Sequence, residues 1–354
     1  MALDELRGKI DALDMEIVRL LNERARVTRE IGAIKLASNS PIYIPGREEE
    51  VYRRVSELNK GPLRDESVRA VYREIISGCR RTQLDLRVSF LGPEGTFTEF
   101  AARDKFGSSM AFYPARTISR VFAEVARGEA DYGVVPVENS TEGSVSDTLD
   151  MLMEHDVSIS AEILMEIHHA LLARCSMEGI KVVYSKPEAL AQCRSWLTAN
   201  LPDADLKPVA STAEAAIIAS KEEGAAAIAH RMAGPLYGLG VLHSAIEDLA
   251  RNMTRFLVLG GAVGGPTGSD KTAVFFAIPH QPGALYDALT PFKRNNLNLA
   301  NIMPRPSKKH SWEYCFFVDV FGHCNDEPVA RALDELRKFA ITVRVLGSFP
   351  IAQL

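Results

Sequence analysis

Leu3, Leu6, Ile10, Leu13, Ile17, Leu20, Arg24, Val27, Ile31 and Ile34 advance in alternating steps of three and four. That spacing gives a helix one continuous apolar seam, so a single helix is expected from about Asp4 to Ala37, its seam meeting another helix. A helix this long finds few partners within a small domain, and a second copy of the chain is the expected cover. Arg24 is the one polar member of the series, and a cation in such a seam is costly unless an anion meets it. Lys35 lies 11 residues on, on the same face and roughly 16 Å along the axis, so the two could converge on one small dianion. Arg7 is about 25 Å of straight helix from Arg24 and could join that ligand only from a partner subunit. The plainer alternative is a coiled-coil dimer whose seam arginine sets register.

Pro41 and Pro45-Gly46 stop the first helix, and helices from about Arg47 to Asn59 and from Arg64 to Leu84 follow, parted by Gly61-Pro62. Residues 1–86 read as an all-α three-helix unit. Leu6-Arg7-Gly8-Lys9-Ile10-Asp11-Ala12-Leu13-Asp14, together with Arg24, Lys35, Arg47-Glu48 and Gln83, resembles the all-helical chorismate mutase family. The resemblance implies an intertwined dimer that rearranges chorismate to prephenate by holding its two carboxylates and placing positive charge at the ether oxygen, with no nucleophile or general base. It assigns Arg7 (from the partner), Arg24 and Arg47 to anion binding, Lys35 and Gln83 to the ether oxygen, and Glu48 to the substrate hydroxyl. Ile44, where some relatives carry an acid, and Cys79, where some carry serine, depart from the pattern; altered affinity rather than loss of activity is expected.

The chain has 354 residues, more than one core usually holds, so two or three domains are expected. A net charge of −5 argues against a nucleic-acid partner, which needs a positive field. No apolar run approaches a membrane span and no signal-peptide pattern opens the chain, so a cytoplasmic protein is expected. Five scattered cysteines read as reduced thiols, and eight histidines without ligand spacing give no sign of a metal.

Residues 87–262 alternate strand and helix in two α/β lobes around a cleft, an arrangement like that of periplasmic binding proteins. Arg87 to Leu91 runs into Gly92-Pro93-Glu94-Gly95-Thr96 and a helix from Phe97 to Phe106, a turn that suits a carboxylate but lacks the third glycine of a dinucleotide fingerprint. Tyr132 to Val137 leads into Glu138-Asn139-Ser140-Thr141-Glu142-Gly143. Val157 to Leu164 and Ile167 to Ala173 read as the crossing to a second lobe. There Ser185-Lys186-Pro187-Glu188 opens a helix bearing Gln192, Ser211 to Glu214 forms a capping box, and Ala225 to Ala229 and Val241 to Ile246 read as buried strands. Asn252-Met253-Thr254-Arg255-Phe256 then begins a strand returning toward the first lobe.

Four of these separated motifs in this order, Gly92-Pro93-Glu94-Gly95-Thr96-Phe97, Glu138-Asn139-Ser140, Ser185-x-Pro187 through Gln192-Cys193 and Asn252-x-Thr254-Arg255-Phe256, resemble prephenate dehydratase. Lys186 departs, standing where many relatives have histidine. The resemblance implies decarboxylative loss of hydroxide from prephenate to give phenylpyruvate, with Thr254 donating a hydrogen bond to the departing hydroxyl from a polarised network. Asn139, Ser140, Ser185 and Gln192 are expected to position substrate, and Arg255 or backbone N–H groups to counter its carboxylate charge; the alternative for Arg255 is a structural ion pair.

A glycine-rich linker from Gly260 to Ser269 reads as a flexible connector without the ending of a phosphate loop. Residues 271–354 follow a βαββαβ order, a ferredoxin-like α+β unit. Pro282-Gly283-Ala284-Leu285 resembles the ACT regulatory domain, which implies phenylalanine as effector, bound through Gly283, Ala284, Leu285 and Arg305. Only Arg305-Pro306 of the stretch Met303-Pro304-Arg305-Pro306 agrees with that family's second ligand motif, Glu-Ser-Arg-Pro. The whole chain thus reads as a bifunctional enzyme of phenylalanine biosynthesis with feedback control, needing neither metal nor organic cofactor. The alternative is a non-catalytic amino-acid or keto-acid sensor on a binding-protein cleft; a dehydrogenase is weakened by the missing fingerprint.

Overall fold

The structure, a computed structural model, describes residues 3–38, 40–41, 43–249, 251–262, 264–306 and 314–352. The apolar seam forms α1 (Leu3–Ala37); α3 (Asp65–Arg81) packs against it, and α2 (Pro45–Leu58) packs against α3. Pro45 pre-sets the φ of the first turn, so Pro45-Gly46, expected as a breaker, instead opens α2, two residues before the expected start at Arg47. Asp65 and Glu66 in the first turn of α3 and Arg80 and Arg81 in its last complement its dipole. Gly32 lets α1 approach the end of α3: a Cβ there would lie 2.7 Å from Gln83 Cγ. The rest of the seam is uncovered within one chain, with Leu13 63% and Ile17 51% exposed.

The first lobe contains β1 (Arg87–Leu91), α4 (Phe97–Phe106), β2 (Ala111–Ala115), α5 (Ile118–Ala126), β3 (Tyr132–Asn139), β4 (Gly143–Ser144), α6 (Ser146–Glu154) and β5 (Ile159–Glu166). The chain then crosses to β6 (Ala170–Ala173), β7 (Val182–Ser185), α7 (Pro187–Gln192), α8 (Arg194–Asn200), β8 (Asp205–Pro208), α9 (Thr212–Ala219), β9 (Ala225–Ala229), α10 (Ala233–Tyr237) and β10 (Gly240–Ser244). It returns through β11 (Met253–Leu259), which enters the first sheet between β3 and β5, antiparallel to both, in the order β2-β1-β3-β11-β5. This insertion sets Thr254 directly opposite Asn139. The second sheet runs β10-β6-β9-β7-β8; its alanine-rich β9 is wholly buried, and small side chains there let α9 lie close. The expectation of a buried strand over Val241 to Ile246 needs correcting. β10 is an edge strand paired only with β6, and most of its residues are exposed.

The C-terminal unit is β12 (Asp270–Ile278), α11 (Ala284–Arg294), β13 (Leu299–Pro306), β14 (Tyr314–Phe321), α12 (Glu327–Leu336) and β15 (Thr342–Pro350), with antiparallel sheet order β13-β14-β12-β15. The expected strand from Trp312 begins outside the described residues. Alternation along β12 buries Val274 and Phe276 under α11 and α12, while Ala273 and Phe275 join Phe317 and Leu346 in a core shared with Leu149, Ile159 and Leu257 of the first lobe. Contact is close enough that a Cβ on Gly347 would sit 1.9 Å from the Ile159 carbonyl oxygen. The linker is also more tied down than its composition suggests. Asp270 accepts from the backbone N–H of Thr267 and Gly268, and the ring of His323 hydrogen-bonds the Gly264 carbonyl at 2.9 Å.

The helical unit is docked onto the first lobe through Tyr43, which is 2% exposed and packs on Phe106 and Tyr132 at ring-centroid distances of 5.1 and 5.2 Å. Among the described residues no helix is long and apolar enough to cross a membrane.

Candidate active sites

Between the lobes lies a cavity of about 660 Å³ whose wall includes Thr96, Asn139, His169, Gln192, Asn252 and Thr254. Successive residues of a strand face opposite ways, so Thr254 turns to the cleft and Arg255 to the C-terminal sheet behind it. Asn139 Nδ2 donates to Thr254 Oγ1 and to Asn252 Oδ1, both at 2.7 Å. Asn252 Nδ2 donates to Gln192 Oε1 at 2.9 Å, and Gln192 Nε2 to Thr141 Oγ1 at 3.1 Å. Because Thr254 Oγ1 accepts from Asn139, its own hydrogen is left to donate into the cleft.

His169 completes this network. Its Nε2 lies 2.8 Å from Gln192 Oε1, an acceptor in this arrangement, so Nε2 carries the proton and Nδ1 the lone pair. Burial pushes the imidazole below its ordinary pKa, favouring the neutral ring. Two helices also begin at the cleft, one from each lobe. Thr96 caps α4, accepting from Glu99 N, and Ser211 caps α9, accepting from Glu214 N; both caps and the first residues behind them line the cavity. Arg116 contributes an exposed guanidinium to the wall, and Lys186 an ammonium 3.5 Å from Glu142 and 3.3 Å from Glu188.

Four residues expected at binding sites have other work. Ser185 is fully buried and donates to the Ile228 carbonyl at 2.6 Å, tying β7 to β9 rather than meeting a ligand. Ser140 Oγ accepts from Met253 N at 2.9 Å and so joins the end of β3 to the start of β11. Arg255 is buried behind the cleft, Nε bonded to Glu162 at 2.8 Å and Nη1 to Asp319 at 2.5 Å, with Lys271 reaching the other Glu162 oxygen at 2.8 Å. It is an ion-pair residue between the first lobe and the C-terminal sheet. Arg305, expected at the effector site, instead grips Asp150 of α6 through Nε at 2.8 Å and Nη2 at 2.9 Å, and Ser146 through Nη1. Gly283, Ala284 and Leu285 do border a cavity of about 290 Å³, with His280, Tyr286 and Tyr314.

In the helical unit, Lys35 at the end of α1 stands near Arg47 of α2 and Arg80 of α3. Partial burial and then the fields of Arg80 and Arg47 bring its ammonium below the usual lysine pKa. Glu48 is buried, and its Oε1 accepts from Arg80 Nη2 at 2.6 Å. Gln83 Oε1 is buried with no hydrogen-bond partner. Arg24 is half-buried and makes no ion pair among the described residues; Arg7 is exposed and meets only Asp4 at 3.5 Å. Arg47 is exposed and paired with Glu50 at 2.5 Å. One chain therefore gathers Lys35, Arg47, Glu48 and Gln83 but not Arg7.

Sequence reasoning passed over His169, Arg116, Thr141 and Arg80 and singled out Asn252 only as part of a cluster. Arg80 carried a signal, because it lies one helical turn before Gln83.

A helical unit with a cluster of basic side chains, joined to a two-lobed α/β cleft with a hydroxyl–amide network, defines a multidomain class of chain. Residues 6–84 match the family model for chorismate mutase type II and residues 88–262 that for prephenate dehydratase. A bifunctional chorismate mutase/prephenate dehydratase of Aquifex aeolicus is 48% identical over 357 residues, covering 99% of both chains. Among solved structures, prephenate dehydratase from Arthrobacter aurescens in complex with L-Phe is 36% identical with a TM-score of 0.70, covering 75% of this chain and 90% of that one. The quorum quenching acylase GqqA is 28% identical, also with a TM-score of 0.70, over 75% of this chain and 98% of its own. The chain belongs to the bifunctional chorismate mutase/prephenate dehydratase family.

Proposed function

We propose that the chain converts chorismate to prephenate in its helical unit and prephenate to phenylpyruvate in the cleft, two consecutive steps toward phenylalanine. The observation that carries the second step is the Thr254 hydroxyl, fixed by Asn139 with its hydrogen free to donate into the cavity. Prephenate has two carboxylates, and α4 and α9 each turn the positive end of a helix dipole to the cleft, with Arg116 adding charge in place of Arg255. The ring carboxylate leaves as carbon dioxide, its bonding electrons complete the aromatic ring, and the C4 hydroxyl departs with the electrons of its own bond. A proton from solvent turns that hydroxide into water, and Thr254 stabilises the oxygen as it becomes negative. Neutral His169 holds Gln192 in place and is not the acid.

In the helical unit Lys35 and Gln83 face the breaking ether bond of chorismate, Glu48 its hydroxyl, and Arg24 and Arg47 its carboxylates. Arg7 of the partner subunit completes the set, and the uncovered seam of α1 supports such a dimer. The C-terminal unit is read as a ferredoxin-like ACT domain spanning 271–354, with L-phenylalanine at the cavity beside Gly283, Ala284 and Leu285 as feedback effector, supported by the L-Phe complex of the Arthrobacter relative. Purified protein given chorismate should release prephenate and then phenylpyruvate, and given prephenate should release phenylpyruvate and carbon dioxide. Consumption of neither substrate would leave the sensor reading in its place.

A further inference from the structure

The Glu48–Arg80 pair has hydrogen-bonding capacity left over. Arg80 is 5% exposed and Glu48 6%, and the 2.6 Å bond between Nη2 and Oε1 uses one atom of each group. Arg80 Nη1 and Glu48 Oε2 are both buried without a partner, as is Gln83 Oε1 in the same unit. A buried donor and a buried acceptor left open on two groups already bonded to each other are costly. They also match one chemical group. A secondary alcohol accepts one hydrogen bond through oxygen and donates one through hydrogen.

Arg80 is held from behind. Its guanidinium lies 4.6 Å from the centroid of the Tyr43 ring, and that ring is wedged against Phe106 and Tyr132 of the first lobe. Its orientation is therefore set by packing before any ligand arrives, and its charge is already felt at Lys35.

We propose that Arg80 is a specificity-determining residue of the mutase site: Nη1 donates to the ring hydroxyl of chorismate while that hydroxyl donates to Glu48 Oε2. The proposal rests on the mutase reading, and Ile44 leaves this polar work to Arg80 and Glu48. Its consequence is selectivity for substrates bearing the hydroxyl, because an analogue without it would bury both groups unpaired.

The test uses the full-length protein, with KM for chorismate and the inhibition constant of a chorismate analogue lacking the ring hydroxyl measured for wild type, Arg80→Leu and Arg80→Lys. In wild type chorismate should bind at least about tenfold more tightly than the analogue. Both substitutions should weaken chorismate about tenfold or more while leaving the analogue within about twofold, so that the discrimination collapses. Turnover of supplied prephenate, which does not involve Arg80, reports that each variant is folded; should Arg80→Leu fail to fold, Arg80→Lys keeps the charge but loses the fork. Equal weakening of both ligands, or an unchanged preference, would overturn the proposal. A wild-type protein that leaves chorismate untouched would instead overturn the mutase reading beneath it.

Discussion

At the scale of single residues, function depends on which atoms remain free once the fold has used the others. Thr254 and Ser185 are both buried hydroxyls, yet the first accepts from Asn139 and keeps its hydrogen for the cleft, whereas the second spends its hydrogen on the Ile228 carbonyl. Thr254→Val should lower prephenate turnover by about 10²- to 10³-fold, the usual cost of one lost donor to a developing oxyanion, with Thr254→Ser keeping most of the activity; steady-state kinetics on prephenate checks both. Lys35 gives a pH signature. Its folded pKa lies below the ordinary 10.5, so the ammonium is lost as pH rises through that lower value. The alkaline limb of mutase activity should therefore fall below pH 10.5, and Lys35→Arg, if it retains activity, should remove the limb from the profile. Thr254, Asn139 and Gln192 meet in the cleft wall, as their places at strand and helix ends suggested. Arg255, Arg305 and Ser185 misled because their partners, Asp319, Asp150 and the Ile228 carbonyl, are far away in sequence.

At the scale of elements, β11 joins the cleft to the C-terminal sheet. Its cleft side carries Thr254, and one residue on, its back carries Arg255, clamped with Lys271 and Asp319 around Glu162. Burial alone would raise the Glu162 pKa, but Arg255 and then Lys271 outweigh it, and the carboxyl lies below its ordinary 4.5. A depressed carboxyl contributes stability that is complete above its unfolded pKa and is lost as pH falls through the folded one. Thermal midpoints should accordingly decline below about pH 4.5, and Glu162→Gln should flatten that acid limb while costing about 3–5 kcal/mol at neutral pH by stranding buried cations. The elements themselves were largely legible: α4 and β9 fall on the expected residues, since apolar periodicity and caps are local signals. The exposed edge position of β10 and the placing of β11 between β3 and β5 depend on long-range pairing, which no local pattern encodes.

At the scale of the whole molecule, one chain leaves the α1 seam bare and Arg7 far from Lys35, and a two-fold partner would remedy both. Replacing Leu13 and Ile17 together by glutamate should give monomers by light scattering and abolish mutase turnover, with prephenate turnover less affected because its cleft lies within one chain. The seam's need for a cover was the first thing readable in the sequence. Less readable was how closely the units are joined, through Tyr43 into the first lobe and through the shared core beneath the C-terminal sheet.

The central claim is that Lys35 and Thr254 serve two different reactions in succession, and mixing tests it most directly. Given chorismate, Lys35→Ala protein alone should make nothing and Thr254→Val protein alone should accumulate prephenate, while the two mixed should yield phenylpyruvate as prephenate passes between molecules. Prephenate turned over at the wild-type rate by Thr254→Val, or chorismate consumed normally by Lys35→Ala, would contradict it.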